Sequence, residues 1–126
     1  MQHLSAFPSA LLLLTLAVAP AAAADLTVEG TLVDAKCYLS DNSATGNDHG
    51  AMTECGTMCL KGGSPAAVLA KDRTLTFLVA PAIPLAPYVG QHVRATGERH
   101  GGALLVKKLE VRQGGRWVEV KLGPAM

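Results

Sequence analysis

The sequence predicts a mainly β protein: a small, partly open β-barrel with one short cysteine-bearing helix between its first and second strands. Three observations carry this. Six short apolar segments, several alternating with a period of two, are separated by glycine-bearing turns. Gly90 opens one of these segments and Gly97 falls inside it, where a small barrel has to bend. One stretch, from Asn47 to Gly63, breaks the alternation and reads as a helix.

The domain is expected over residues 25–126, because residues 1–24 read as a signal peptide. An apolar run from Ala10 to Val18 is broken by Pro20, and Ala22 and Ala24 place small residues at −3 and −1 of a cleavage site after Ala24. The alternative is an uncleaved anchor, against which Pro20 and the alanine tail argue. Cleavage would deliver a periplasmic or secreted protein with no stable membrane insertion. Eleven Lys and Arg against ten Asp and Glu give a net charge of +1, with no basic run. That balance excludes an electrostatic case for nucleic acid as a partner. A barrel binding single strands would also want exposed aromatic rings in a basic groove, and Tyr38 and Trp117 read instead as packing residues. No other partner is indicated.

In chain order, Leu26–Leu39 begins as a strand, with Leu26, Val28 and Gly30 on one face and Thr27, Glu29 and Thr31 on the other. Cys37 lies near its end. Ser40–Asp48 is a polar loop. For the helix, Asn47 or Asp48 can cap the start and Gly62-Gly63 can close the end. Gly50 and Gly56 inside it each cost about 1 kcal/mol relative to alanine, so the helix needs outside support. Ala66–Ala70 and Thr74–Ala80 form a hairpin around a short turn. Pro81–Gly90 holds three prolines and reads as a connector with one helical turn near Ala86–Val89. Gln91–Glu98 follows as a strand with Val93, Ala95 and Gly97 on one face and His92, Arg94 and Thr96 on the other. His92 and His100 read as solvated. Ala103–Val111 and Trp117–Leu122 complete six strands. The run from Gly90 to Val111 resembles the strand pairs of oligonucleotide/oligosaccharide-binding (OB) folds, which makes the barrel OB-like.

Chemistry concentrates in one place. His49, Met52, Cys55, Met58 and Cys59 fall within eleven residues. On a helix, Met52, Cys55 and Cys59 share one stripe with His49 at its N-terminal edge. The loop after Cys37 is long enough to bring that residue onto them. Cys37, His49, Cys55 and Cys59 are then a zinc ligand set; the thiols with Met52 or Met58 would suit copper(I). A disulfide between Cys37 and Cys55 or Cys59 is the plain alternative for an exported chain. It would leave one thiol over, with Met52 and Met58 as core filler and His49 on the surface. Asp34 could cap the helix end or assist the site, and the structural role is the preferred reading. No C-x-x-C, C-x-x-C-H, serine triad, paired carboxylates or phosphate loop is present, so no enzyme is indicated.

The combination D-x-x-C, His, C-x-x-x-C, then strands bearing G-x-x-V-x-x-T-G resembles a group of small exported bacterial proteins of uncharacterised function. The resemblance falls on Gly30, Asp34, Cys37, His49, Cys55, Cys59, Gly90, Val93, Thr96 and Gly97. It implies export and a β-barrel-like fold, and it implies no activity. The expectation is therefore an exported protein that binds copper(I) or zinc through a Cys/His site for envelope metal handling. The alternatives are a disulfide-stapled module binding a protein or glycan, and a thiol redox protein using Cys55 and Cys59.

Overall fold

A computed structural model describes residues 24–124. The leader expected over residues 1–24 lies, apart from Ala24, outside the described residues. The elements are β1 (Leu26–Asp34), α1 (Ala35–Ser40), α2 (Cys55–Lys61), β2 (Ala66–Leu69), β3 (Leu75–Val79), α3 (Ala82–Leu85) with a following 3-10 turn (Ala86–Tyr88), β4 (His92–His100), β5 (Ala103–Gln113) and β6 (Arg116–Val120). All six expected strands are present. Among the described residues no helix is long and apolar enough to cross a membrane.

The strands lie in the order β3-β2-β1-β4-β5-β6, each antiparallel to its neighbour. β3 also pairs with β5 in parallel, through Phe77–Ala103, Leu78–Leu104 and Val79–Leu105. That pairing brings the sheet round into a ring of β1, β2, β3, β5 and β4, the expected OB-like arrangement, with β6 on its flank. Parallel neighbours need a long connection, which α3, the 3-10 turn and β4 supply. Inside the ring, Leu32, Val68, Leu78, Val93, Ala95, Leu104, Leu109 and Val111 form the main core. Leu60 of α2 and Leu85 of α3 are fully buried in it, so both helices are seated on the ring. A second cluster, Val33, Ala35, Tyr38, Ala67 and Leu69, fixes α1 against β1 and β2.

Two glycines permit the ring to close. A Cβ on Gly30 would stand 2.2 Å from the Leu69 carbonyl oxygen, and one on Gly97 would stand 1.9 Å from that of Leu105. The β4–β5 register shifts between Thr96 and Gly97, which is the bend expected at that position. Val93, Ala95 and Gly97 face inward, as their alternation predicts.

On the outer face, Arg94 makes two hydrogen bonds to Glu110, at 2.6 and 3.0 Å. The Arg94 guanidinium, by hydrogen bonding, brings the Glu110 carboxyl down to about 2. Arg94 and Arg112 lie over the Trp117 ring, at 4.4 and 5.2 Å from its centroid, so the ring's contacts are internal ones. His92 is not simply solvated: its Nε2 is 2.7 Å from Glu29 Oε1 and its ring lies against Trp117.

Two features near the first strand differ from the sequence reading. Cys37 is not at a strand end. The chain leaves the sheet at Asp34, whose carboxylate accepts from the Lys36 amide at 3.0 Å and caps α1. The expected single helix is thus two, and α2 begins at Cys55 rather than near Asn47.

Gly97→Ala should destabilise the domain by about 1–3 kcal/mol, because backbone must move to admit the methyl group. Gly102→Ala meets nothing within 4 Å and should stay within about 0.5 kcal/mol. Urea unfolding of both variants measures the difference.

Candidate metal centre

The segment between the two helices is built to return His49 towards the cysteines. His49 and Met52 exchange backbone hydrogen bonds of 2.9 and 3.0 Å. Gly50, with φ of 60°, occupies the first corner between them, the position that a type II′ turn gives to glycine. The helix cannot run through this turn, which is why the stripe expected from His49 to Cys59 does not form. Glu54 then takes a left-handed φ of 54°, uncommon for a residue with a Cβ. The Asp48 carboxylate accepts the Glu54 amide at 2.7 Å and holds it there.

Asn47 supplies the cap expected of it, but across a loop. Its side-chain oxygen accepts the Thr57 amide at 2.7 Å, and its carbonyl accepts the Gly56 amide at 2.9 Å. The Thr57 hydroxyl lies 2.9 Å from both Asn47 Oδ1 and the Ala86 carbonyl. Two first-turn donors of α2, the Gly56 and Thr57 amides, are satisfied in this way. Gly56 is required by proximity, since a Cβ there would stand 2.5 Å from Val89 Cγ1. At the other end, Gly63 is left-handed at φ of 93° and its amide donates to Leu60, the glycine closure that the sequence predicts.

The ligand atoms of Cys37, His49 and Cys55 all lie within 4.8 Å of one another, and so do those of Asp34, Cys37 and Cys59. All four predicted ligands are therefore brought together, but as two groups that share Cys37. The addition is Asp34, for which sequence reasoning preferred a capping role over assistance to the site. The available signal was its place in D-x-x-C, one helical turn before Cys37. Met52 and Met58 are 60% and 65% exposed, so they are not core filler. All three cysteines are free thiols. The Cys37 disulfide to Cys55 or Cys59 is thus not formed here, and hydrogen bonds from Asn47 and Asp48 support α2 in its place.

Asp34 is the electrostatic centre. It is 1% exposed. Oδ1 accepts from the Lys36 amide and, at 2.6 Å, from the Ser64 hydroxyl. Burial opposes its charge, but the Cys37, Ser64 and Cys59 side chains and the Lys36 amide outweigh this and lower its pKa. The carboxyl is ionised at neutral pH. The two thiols stand close enough to exert this effect, yet neither makes a well-formed hydrogen bond to Oδ2, which has no partner. None of the ion pairs among the described residues involves Asp34. A buried ionised oxygen of this kind calls for a cation or a donor.

The carboxylate acts on the thiols in return. The close approach of the Asp34 carboxylate, then burial, push Cys37 up to about 12. Burial, then Asp34, also raise Cys59. His49 Nε2 is 3.1 Å from the Gly46 carbonyl. A carbonyl can only accept, so Nε2 carries the proton and Nδ1 keeps a free lone pair, as in a second-shell-supported metal ligand.

No protein-family model matches the chain, and no match is found among curated proteins or solved structures. The functional reading accordingly rests on the geometry of this cluster.

Two outcomes test the description. Asn47→Ala should cost about 1 kcal/mol through the lost cap, seen as a lower melting temperature with the strand spectrum retained. Cys37 must lose its proton to bind a metal, so affinity should rise about tenfold per pH unit for each thiol proton released. Zinc titrations between pH 7 and 8.5 check this; a flat affinity would remove Cys37 from the ligand set. In the metal-free protein the sign is opposite. The raised Cys37 pKa contributes stability that is complete below its ordinary value of 9.0 and lost as pH rises towards about 12.

Proposed function

We propose that this is an exported protein that binds a soft or borderline metal ion through its Cys/His cluster, for metal handling in the cell envelope. The observation that carries the reading is the convergence of Cys37 with His49 and Cys55 on one side and with Cys59 and Asp34 on the other, where Asp34 keeps an unpartnered, buried carboxylate oxygen. Zinc is favoured over copper(I). An imidazole and a carboxylate beside thiolates suit zinc, whereas copper(I) prefers soft sulfur ligands. Cys37, His49 and Cys59 are partly exposed, which suits an ion that is taken up and passed on.

Thiol redox chemistry is the weaker reading. It requires a thiolate at neutral pH, which Asp34 and burial oppose at Cys37 and burial and Asp34 oppose at Cys59. A binding module has one feature in its favour: a groove of about 780 Å³ lined by Val79, Pro81, Leu105, Val106, Leu122 and Pro124. Its apolar lining suits a protein segment better than a glycan.

The test is metal binding by the reduced protein, followed by competition with a chromophoric chelator and by intact mass under native conditions. At least one zinc per chain is expected, with loss of binding in Cys37→Ser. Three free thiols and no bound metal would sink the proposal.

A further inference from the structure

The two ligand groups have the same composition. Each holds one terminal thiol, Cys55 or Cys59, one non-sulfur ligand, His49 or Asp34, and the shared Cys37. We infer that the cluster is a dinuclear site for two divalent ions of the zinc type, with the Cys37 thiolate bridging them. This rests on the reading that the cluster binds metal and adds its nuclearity, its bridge and the role of Asp34.

Four observations carry it. First, a thiolate has three lone pairs and can bond two ions at once, and Cys37 is the one residue common to both groups. Second, each non-sulfur ligand is already oriented by a hydrogen bond on its other atom. Asp34 Oδ1 is held by Lys36 and Ser64 while Oδ2 is free, and His49 Nε2 is held by Gly46. This is how ligating carboxylates and imidazoles are supported, and it occurs once in each group. Third, Cys55 and Cys59 stand one turn apart on α2, a rise of about 6 Å, so each is beside its own group. Fourth, three thiolates and one carboxylate carry four negative charges. One divalent ion on either group, with the remaining thiol protonated, would leave a net charge of about −1 beside an aspartate that is 1% exposed; two ions would neutralise the cluster, and buried net charge is expensive. On binding, the three thiols release their protons to solvent and sulfur–metal bonds replace the S–H bonds. Zinc lies about 2.3 Å from sulfur, so ligand atoms within 4.8 Å of one another need only a small closure. Three protein ligands per ion leave each with an open position, as in exchangeable rather than closed structural sites.

The experiment titrates zinc into the full reduced protein and counts bound ions by native mass spectrometry. Two per chain are expected. Asp34→Asn keeps the Oδ1 acceptor that caps α1 and should fold, as a circular-dichroism melt will verify. It should bind one ion, as should Cys59→Ser and His49→Ala. Cobalt(II) in the parent protein should give a thiolate-to-cobalt absorption that saturates at two equivalents. Its two ions should be antiferromagnetically coupled, a signature of the bridge that a structural role for Cys37 would not produce. Saturation of the parent protein at one zinc would overturn the dinuclear site and leave the proposed function standing. Two uncoupled cobalt ions would overturn the bridge, and two zinc ions in Asp34→Asn would remove Asp34 from the site. No binding at all would overturn both proposals.

Discussion

Asp34 stands where β1 ends and α1 begins, and its carboxylate links local structure to the chemistry of the cluster. One oxygen is used twice, accepting from the Lys36 amide and from Ser64 beyond the end of α2. The first contact turns the chain out of the sheet and points Cys37 away from the strand. The second ties the exit of α2 to the same point, and the Ala35 amide donating to Pro65 reinforces it. The two short helices that carry the cysteines are thus referenced to one buried charge. Neither helix would persist as an isolated peptide, since nucleation is costly at six or seven residues. Their stability is tertiary, supplied by Tyr38 on one side of the sheet and Leu60 in the ring core.

The same charge shapes reactivity. A carboxylate beside thiols stabilises them as donors and opposes thiolate formation, so the metal-free site is chemically quiet. A divalent cation bound as proposed would reverse the balance. It would neutralise the carboxylate, and the loss of thiol protons would become favourable instead of costly. Local burial and charge therefore oppose thiolate formation at Cys37 and Cys59 in the metal-free protein, while the proposed metal would favour it. The loop carrying His49 is arranged for the same end by strained or tight backbone, with Gly50 and Glu54 left-handed. Asn47 and Asp48 hold it through hydrogen bonds rather than through a covalent bridge.

Much of the architecture was legible because strand patterning is local. Alternation along Gln91–Glu98 correctly put Val93, Ala95 and Gly97 inside, and the glycine at 97 marked the bend where β4 crosses Leu105 at close range. Helix boundaries were less legible. A stretch with caps at both ends read as one helix, but Gly50 and the left-handed Glu54 turn the chain back before α2 starts. α1 was hidden because Ala35–Ser40 continues an apolar run, and only the Asp34 cap, a contact two residues long, separates it from the strand.

The sequence by itself determined the inventory: a mainly β chain, the glycines that let it close, and the convergence of three cysteines and a histidine as the place where chemistry is possible. Residue type and spacing are enough for that, because thiols and imidazoles are scarce and their ligand preferences are intrinsic. Tertiary structure alone decided the grouping. It divided four expected ligands into two sets about Cys37, added Asp34 with a free Oδ2, and left Met52 and Met58 exposed. The physical reason is that ligand grouping depends on distances between residues far apart in the chain. Those distances follow from how α1 and α2 are seated on the ring, which no local pattern encodes.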